Sequence, residues 1–137
     1  MPKFYPSLTP ALTDWLLSQP LFFISTAPLA GAHINVSPKG PLSTSLAIVS
    51  PNRAIFLDLT GSGSETIAHL YENGRATVML ASFGSSPRIM RLFCRGSVVE
   101  PDNLPLFPDL VAKFPGAGDL AGIRSVVVLD IYQVRSK

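Results

Sequence analysis

Ala54-Ile55-Phe56-Leu57-Asp58-Leu59 runs directly into Thr60-Gly61-Ser62-Gly63-Ser64-Glu65-Thr66. The first six residues are a strand, rich in side chains that suit a pleated surface. The next seven hold two glycines and four hydroxyl residues, which make a turn. A helix then runs from Glu65 to about Asn73, with Ile67, Leu70 and Tyr71 inward and Gly74 as its C-terminal stop. Ser62 with Glu65, as a capping box, or Ser64 alone could cap its start.

Working outward, the neighbours of this unit are mostly strands. Upstream are Leu21–Thr26 and the alternating His33-Ile34-Asn35-Val36-Ser37, interrupted by Pro38-Lys39-Gly40-Pro41. Leu42 to Ser50 is ambiguous, with Leu46 to Val49 a candidate short strand. Downstream are Arg75–Phe83, Ile89–Glu100 and Ser125–Val134. A short helix precedes them all, with Thr9 as N-cap, Pro10 at its first position, and Leu12, Trp15 and Leu16 on one stripe. Pro101–Phe114 reads as a loop and short helix, and Pro115–Gly118 as a turn. Helices are too sparse for a doubly wound sheet, and short joins favour antiparallel neighbours. A small barrel of about six strands removes the exposed edges such a sheet would leave.

With 137 residues the chain is one domain. Its net charge is +2, and its 11 Lys and Arg form no stripe that would track nucleic acid. Charged residues make up only 15% and mean hydropathy is +0.34, yet no stretch approaches the roughly 20 apolar residues of a membrane helix. The N-terminus has no apolar core of a signal peptide. The apolar excess is therefore expected at a subunit interface, most simply a homodimer, in a soluble cytoplasmic protein. A single Cys excludes a disulfide framework within the chain and any multi-cysteine zinc site.

Three places could carry chemistry. The turn Thr60–Thr66 offers backbone N–H groups, a helix start and hydroxyls, which suit a phosphate; a plain loop with a cap would also account for it. Ser37-Pro38-Lys39-Gly40 could add a cation and a hydroxyl to that phosphate, or could be an ordinary solvated turn. Of Arg88, Arg91 and Arg95, the last two share a strand face and Arg88 lies opposite; such a pair could hold an anion, or face solvent or a partner. His33 and His69 form no acid–base or metal pattern, and His69 reads as a helix-surface residue. Cys94 reads as a small buried side chain. Metal ligation has no support. The pattern fits a protein whose organic cofactor carries the reaction while the polypeptide supplies placement.

The blocks F-F-I-S-T-A-P-L (22–29), H-I-N-V-S-P-K-G (33–40), L-D-L-T-G-S-G-S-E-T-I-A-H-L (57–70), E-N-G-R-A-T-V-M-L (72–80) and P-R-I-M-R-L-F-C-R-G (87–96) resemble the pyridoxamine 5′-phosphate oxidase-like proteins, and within them a branch common in fungi. The resemblance runs from about Tyr5 to Val134. It implies a mostly β fold, a six-stranded antiparallel Greek-key split barrel with flanking helices. It also implies a homodimer that binds flavin mononucleotide (FMN) in a groove between subunits. Carried over by position, Lys39, Thr60, Ser64, Glu65 and Thr66 would surround the FMN phosphate. Asn35, Val36 and Ser37 would meet the isoalloxazine, and Arg91 falls where the oxidases place a Gln against the ring.

The chain also departs from the pattern. The oxidases have basic residues where Glu65 and Thr66 stand, which implies a phosphate grip weaker in charge. Their substrate-phosphate residues have no counterpart here, so pyridoxamine phosphate oxidation is not expected. Cys94 replaces a Gly of the branch, Pro41-Leu42-Ser43 departs, and the branch's C-terminal extension is not found after Arg135-Ser136-Lys137. Two functions follow. One is an FMN-dependent oxidoreductase acting on a small organic substrate. The other is a split barrel that no longer turns over flavin. It would serve as a small-molecule binding protein or cofactor-independent enzyme, or would use deazaflavin or haem.

Overall fold

The computed structural model describes residues 1–116 and 122–137. In chain order the elements are β1 (Lys3–Tyr5), α1 (Pro10–Leu17), β2 (Phe22–Thr26), β3 (Asn35–Lys39), α2 (Leu42–Ser45), β4 (Leu46–Ser50), β5 (Arg53–Leu59), α3 (Ser64–Glu72), β6 (Arg75–Ala81), β7 (Ile89–Val99), α4 (Leu106–Val111) and β8 (Ile123–Ser136). All strand pairs are antiparallel, in the order β3-β2-β6-β7-β8-β5-β4, with β1 added on β8.

The sheet curls into the expected split barrel. The rings of Phe22 on β2 and Phe56 on β5 meet edge to face with centroids 5.7 Å apart. Those strands lie four steps apart in the pairing order, about 19 Å across a flat sheet. Contact at that range requires the inward face to close on itself. Strand alternation supplies that face: Ile24, Val78, Leu80, Met90, Leu92, Val127, Leu129 and Val134 share one core cluster, with Leu12 and Leu16 of α1 packed into it. A second cluster lies on the opposite face, where Leu110 and Phe114, in and after α4, cover Ile55, Leu57, Val126 and Val128. β5 and β8 are therefore apolar on both sides, as their sequences read.

Several expectations change. Among the described residues the strands number eight rather than six, because Lys3–Tyr5 and Leu46–Ser50 both pair. The ambiguous segment splits into α2 and β4. β3 continues through Pro38 to Lys39, which is possible because β3 lies at the sheet edge and pairs only with β2. Tyr71 points outward and is 59% exposed, and Thr66 takes the buried place on α3 with Leu70. No serine caps α3; its N-cap is Gly63, at φ +114°. Thr9 does cap α1, accepting from the Leu12 N–H at 3.2 Å. Arg88 precedes β7 and lies over the Trp15 ring at 4.7 Å. The expected turn at Pro115–Gly118 lies partly outside the described residues. Among the described residues, no helix is long and apolar enough to cross a membrane.

Because closure rests on the ring contact, Phe56→Ala is expected to lower unfolding free energy by about 3–5 kcal/mol. Urea denaturation followed by circular dichroism measures this, and a loss below about 1 kcal/mol would show that the contact does not close the core.

Candidate functional site

β3 and the start of α3 come together at the open seam of the barrel. A Cβ on Gly63 would stand 3.0 Å from Lys39 Nζ, 3.3 Å from Asp58 Oδ1 and 3.5 Å from Arg124 Nη2. Three charged groups from β3, β5 and β8 thus converge on one backbone point. Glycine is needed there twice over, for the left-handed φ and for the close approach. With no side chain capping the helix, its first N–H groups have no side-chain acceptor.

Asp58 organises this cluster. Its carboxylate is 2% exposed, accepts from Arg124 Nε and Nη2 at 2.8 and 2.9 Å, and accepts from Ser125 Oγ at 2.8 Å. The β5–β8 register pairs Asp58 with Ser125 and Leu59 with Ile123, so Arg124 is the extra residue of a bulge. A bulge re-aims its side chain, here across the pair toward the carboxylate. The bond to Asp58 raises the Arg124 pKa. Partial burial lowers the Lys39 pKa, partly opposed by attraction to Asp58 and reinforced by Arg124. Two cations meet one carboxylate around Gly63, and Glu65, in the first turn of α3, brings the local balance to two charges of each sign.

Asn35, Ser37 and Lys39 alternate on one side of β3. Asn35 Nδ2 donates to Thr26 Oγ1 at 3.0 Å and to Thr66 Oγ1 at 2.9 Å, and Asn35 Oδ1 accepts from Ser37 Oγ at 3.0 Å. His69 Nδ1 lies 2.8 Å from Thr26 Oγ1. This network fastens β3 to β2 and α3, and it moves His69 from the expected helix surface into a structural bond. Asn35 and Ser37 line a concavity of about 240 Å³ with Ser62, Gly63, Ser64 and Glu65. Lys39 and Thr60 line the adjoining one, about 160 Å³, with Ser62 shared between the two. The Thr60 hydroxyl donates to the Gly122 carbonyl at 2.9 Å, so its proton is committed to closing the turn.

Val36 and Arg91 are separate from these. They lie on the outward face of β3-β2-β6-β7, in a concavity of about 460 Å³ with Phe23, Ser25, Met79 and Phe93. The candidate residues therefore form two groups, one on each face of the edge strand.

No protein-family model matches the chain. It is 55% identical over 135 residues to the pyridoxamine 5′-phosphate oxidase family protein ustO of Aspergillus flavus, a match covering 98% of this chain and 53% of that protein. The chain belongs to the pyridoxamine 5′-phosphate oxidase family. It spans about half the length of that curated relative. Solved structures share the fold of this family domain. A putative pyridoxamine 5′-phosphate oxidase from Lactobacillus delbrueckii has a TM-score of 0.71 at 20% identity, covering 95% of this chain and 94% of the other. The heme storage protein HutZ of Vibrio cholerae has a TM-score of 0.63 at 14% identity, covering 91% and 90%. An FMN-binding protein from Syntrophomonas wolfei has a TM-score of 0.57 at 14% identity, covering 83% and 75%.

Within this family domain, Cys94 is the expected buried side chain. It is 2% exposed, and burial, with the nearby Asp130 carboxylate, pushes its thiol up to about 12. At neutral pH it stays protonated and unreactive. Sequence reading missed Asp58 and Arg124 as partners. An Asp in an otherwise apolar strand was the one available signal, since a buried carboxylate requires a cation. Its partner lies 66 residues away at a bulge that no local pattern announces.

Arg124→Met leaves the Asp58 carboxylate buried with Ser125 and without its paired guanidinium. The expected loss is about 1–3 kcal/mol, reduced from that of a fully buried pair because Arg124 is part-exposed. Thermal unfolding of the variant checks it; an unchanged melting temperature would mean that the pair contributes nothing.

Proposed function

We propose that the protein is an FMN-dependent oxidoreductase acting on a small organic substrate in a groove completed by a second copy of the chain. The observation that carries this reading is the convergence of Lys39, Arg124 and Asp58 on the side-chain-free Gly63 at an uncapped helix start. A phosphate would find there a lysine and free helix N–H groups. Lys39 would supply a charge-assisted bond, the Ser64 hydroxyl and the N–H groups of Ser64, Glu65 and Thr66 would donate, and Arg124 would add longer-range attraction. Thr60 would hold the turn in place through Gly122. Glu65 opposes the anion, so the grip depends more on Lys39 than it would with a basic residue there.

The ring would lie beyond the other face of β3. Val36, Phe23, Met79 and Phe93 would exclude water from it, and Arg91 would meet its polar edge. Bound there, FMN supplies two-electron chemistry at its ring. Asn35 and Ser37 would brace the strand between phosphate and ring. Two possible haem donors are already committed: Cys94 is buried and held protonated, and His69 bonds Thr26.

Titration of FMN into the purified protein, followed by quenching of flavin fluorescence, tests the reading. Flavin bands in the purified sample support it, whereas a Soret band or no quenching at any FMN concentration refutes it. Lys39→Ala is expected to weaken FMN binding roughly ten- to hundred-fold. The sign of the pH effect follows from the cation. Lys39 binds phosphate while protonated and its pKa is lowered, so affinity falls as pH rises, at a lower pH than an ordinary lysine would give.

The dimer proposal rests on apolar side chains left outside the core: Leu29, Ile34 and Val36 at and before β3 are 69%, 70% and 63% exposed. Light scattering is expected to give twice the chain mass, and a monomer at micromolar concentration would overturn it.

A further inference from the structure

We propose that Arg75, Arg95 and Tyr132 form a subsite for an oxyanion, a carboxylate or phosphate carried by the substrate, next to the ring face. The inference rests on the flavin reading and names the chemistry of the molecule that would meet the ring. Arg75 and Arg95 are direct cross-strand partners in the β6–β7 register. Like charges placed opposite one another destabilise a sheet, so the pair is an expense for the fold alone. Neither makes a salt bridge among the described residues. Arg75 Nη2 donates to the Pro28 carbonyl at 3.1 Å, which fixes the guanidinium without cancelling its charge. The carboxylate across from Arg95 in the β7–β8 register is Asp130, and it is held by Arg53 at 2.8 Å.

The two arginines line a concavity of about 280 Å³ with Ser25, Thr77 and Tyr132. Tyr132 is brought there by a bulge. The β7–β8 register pairs Phe93 with Gln133 and Cys94 with Ile131, so Tyr132 is the extra residue, and its side chain is 61% exposed. Two guanidinium forks with a phenol hydroxyl suit an oxyanion, and no carboxylate lines the pocket to compete for them.

Position joins this pocket to the ring face. Ser25 and Thr77 are cross-strand partners, and both line the outward apolar concavity as well. On β7, Arg91 marks the ring side, Phe93 lies between, and Arg95 marks the anion side. Four residues of strand span about 13 Å. A substrate with an aromatic or aliphatic body over Phe93 and its anion at Arg95 would reach toward the ring. The subsite thus selects anionic small molecules and orients them with the uncharged end toward the flavin.

Isothermal titration of the full chain with benzoate and with phenyl phosphate, each with and without FMN, tests the subsite. At least one probe is expected to bind, and the tighter one identifies the anion. Arg95→Gln and Arg75→Gln should each weaken that probe ten-fold or more and leave FMN affinity within two-fold. The melting temperature of Arg95→Gln should match or exceed the parent's, because the like-charge opposition is relieved and the Arg95 side chain makes no hydrogen bond among the described residues, whereas an arginine with a merely structural role would lower it; Arg75→Gln also gives up the bond to the Pro28 carbonyl and is read by probe affinity. Arg95→Lys, keeping charge but losing the fork, should fall between. Binding of neither probe, or equal binding by the glutamine variants, overturns the proposal. Failure of FMN to bind while the probe isotherms hold would sink the flavin reading and leave the subsite standing.

Discussion

Closure of the sheet is the constraint from which both the core and the site follow. Strands four steps apart in the pairing order touch through Phe22 and Phe56, and this is possible only because inward positions from β2 round to β4 are apolar and close-packed. Curling brings β3, at one end of the pairing path, beside β5 and the first residues of β8. Lys39 and Asp58 would be far apart on a flat sheet. Around the barrel they flank the same glycine. The candidate phosphate cradle is therefore a property of the seam, built where two ends of one sheet meet without hydrogen-bonding to each other.

At that seam the chain holds opposed preferences in balance. A buried carboxylate is costly unless bonded, and Asp58 is satisfied by a guanidinium and a hydroxyl from adjoining residues of β8. The bulge that turns Arg124 toward it also sets the register in which Thr60 and Gly122 close the turn. The Gly-Ser bend is thus tied to the barrel at its base while its tip carries hydroxyls at the rim. An anion arriving there meets an ordered frame, so little conformational freedom remains to be lost on binding.

Much of this was legible in the residues, for reasons of period. The sequence of β6 alternates, with Val78 and Leu80 on one side and Thr77, Met79 and Ala81 on the other, and the first side is the buried one; Thr9-Pro10 begins α1 as its cap chemistry dictates. The errors came where tertiary context decides. Pro38 reads as an interruption because an inner strand needs donors toward both neighbours, but β3 pairs only with β2, so a missing N–H on its open side costs no ladder bond. Helical spacing points Tyr71 inward, but the buried place goes to Thr66, which accepts a bond from Asn35 across the seam. The Asn35, Thr26 and His69 network joins β2, β3 and α3, and local patterns cannot show a bond between residues 43 positions apart. The residues alone leave Lys39 open between a partner of the glycine turn and an ordinary solvated lysine, and the family resemblance favours the first, because it carries information that spacing lacks.

The low charge of the sequence now has a physical distribution. An antiparallel barrel needs one apolar face per strand, and a chain that stopped there would alternate with polar residues outward. This one has a second apolar layer under α4 and a third, uncovered, on the outward face of β2, β6 and β7, where Phe23, Met79 and Phe93 sit beside the exposed Val36. The first two layers are accounted for by folding. The third contributes nothing to a lone barrel and exposes apolar area to water, and it is bordered by arginines that repel one another across paired strands. Apolar surface and unpaired charge are both unfavourable for an isolated chain, and both would become favourable against the planar ring, anionic substrate and second subunit proposed above. Their coincidence on one face is what directs those proposals to that face rather than to the barrel interior.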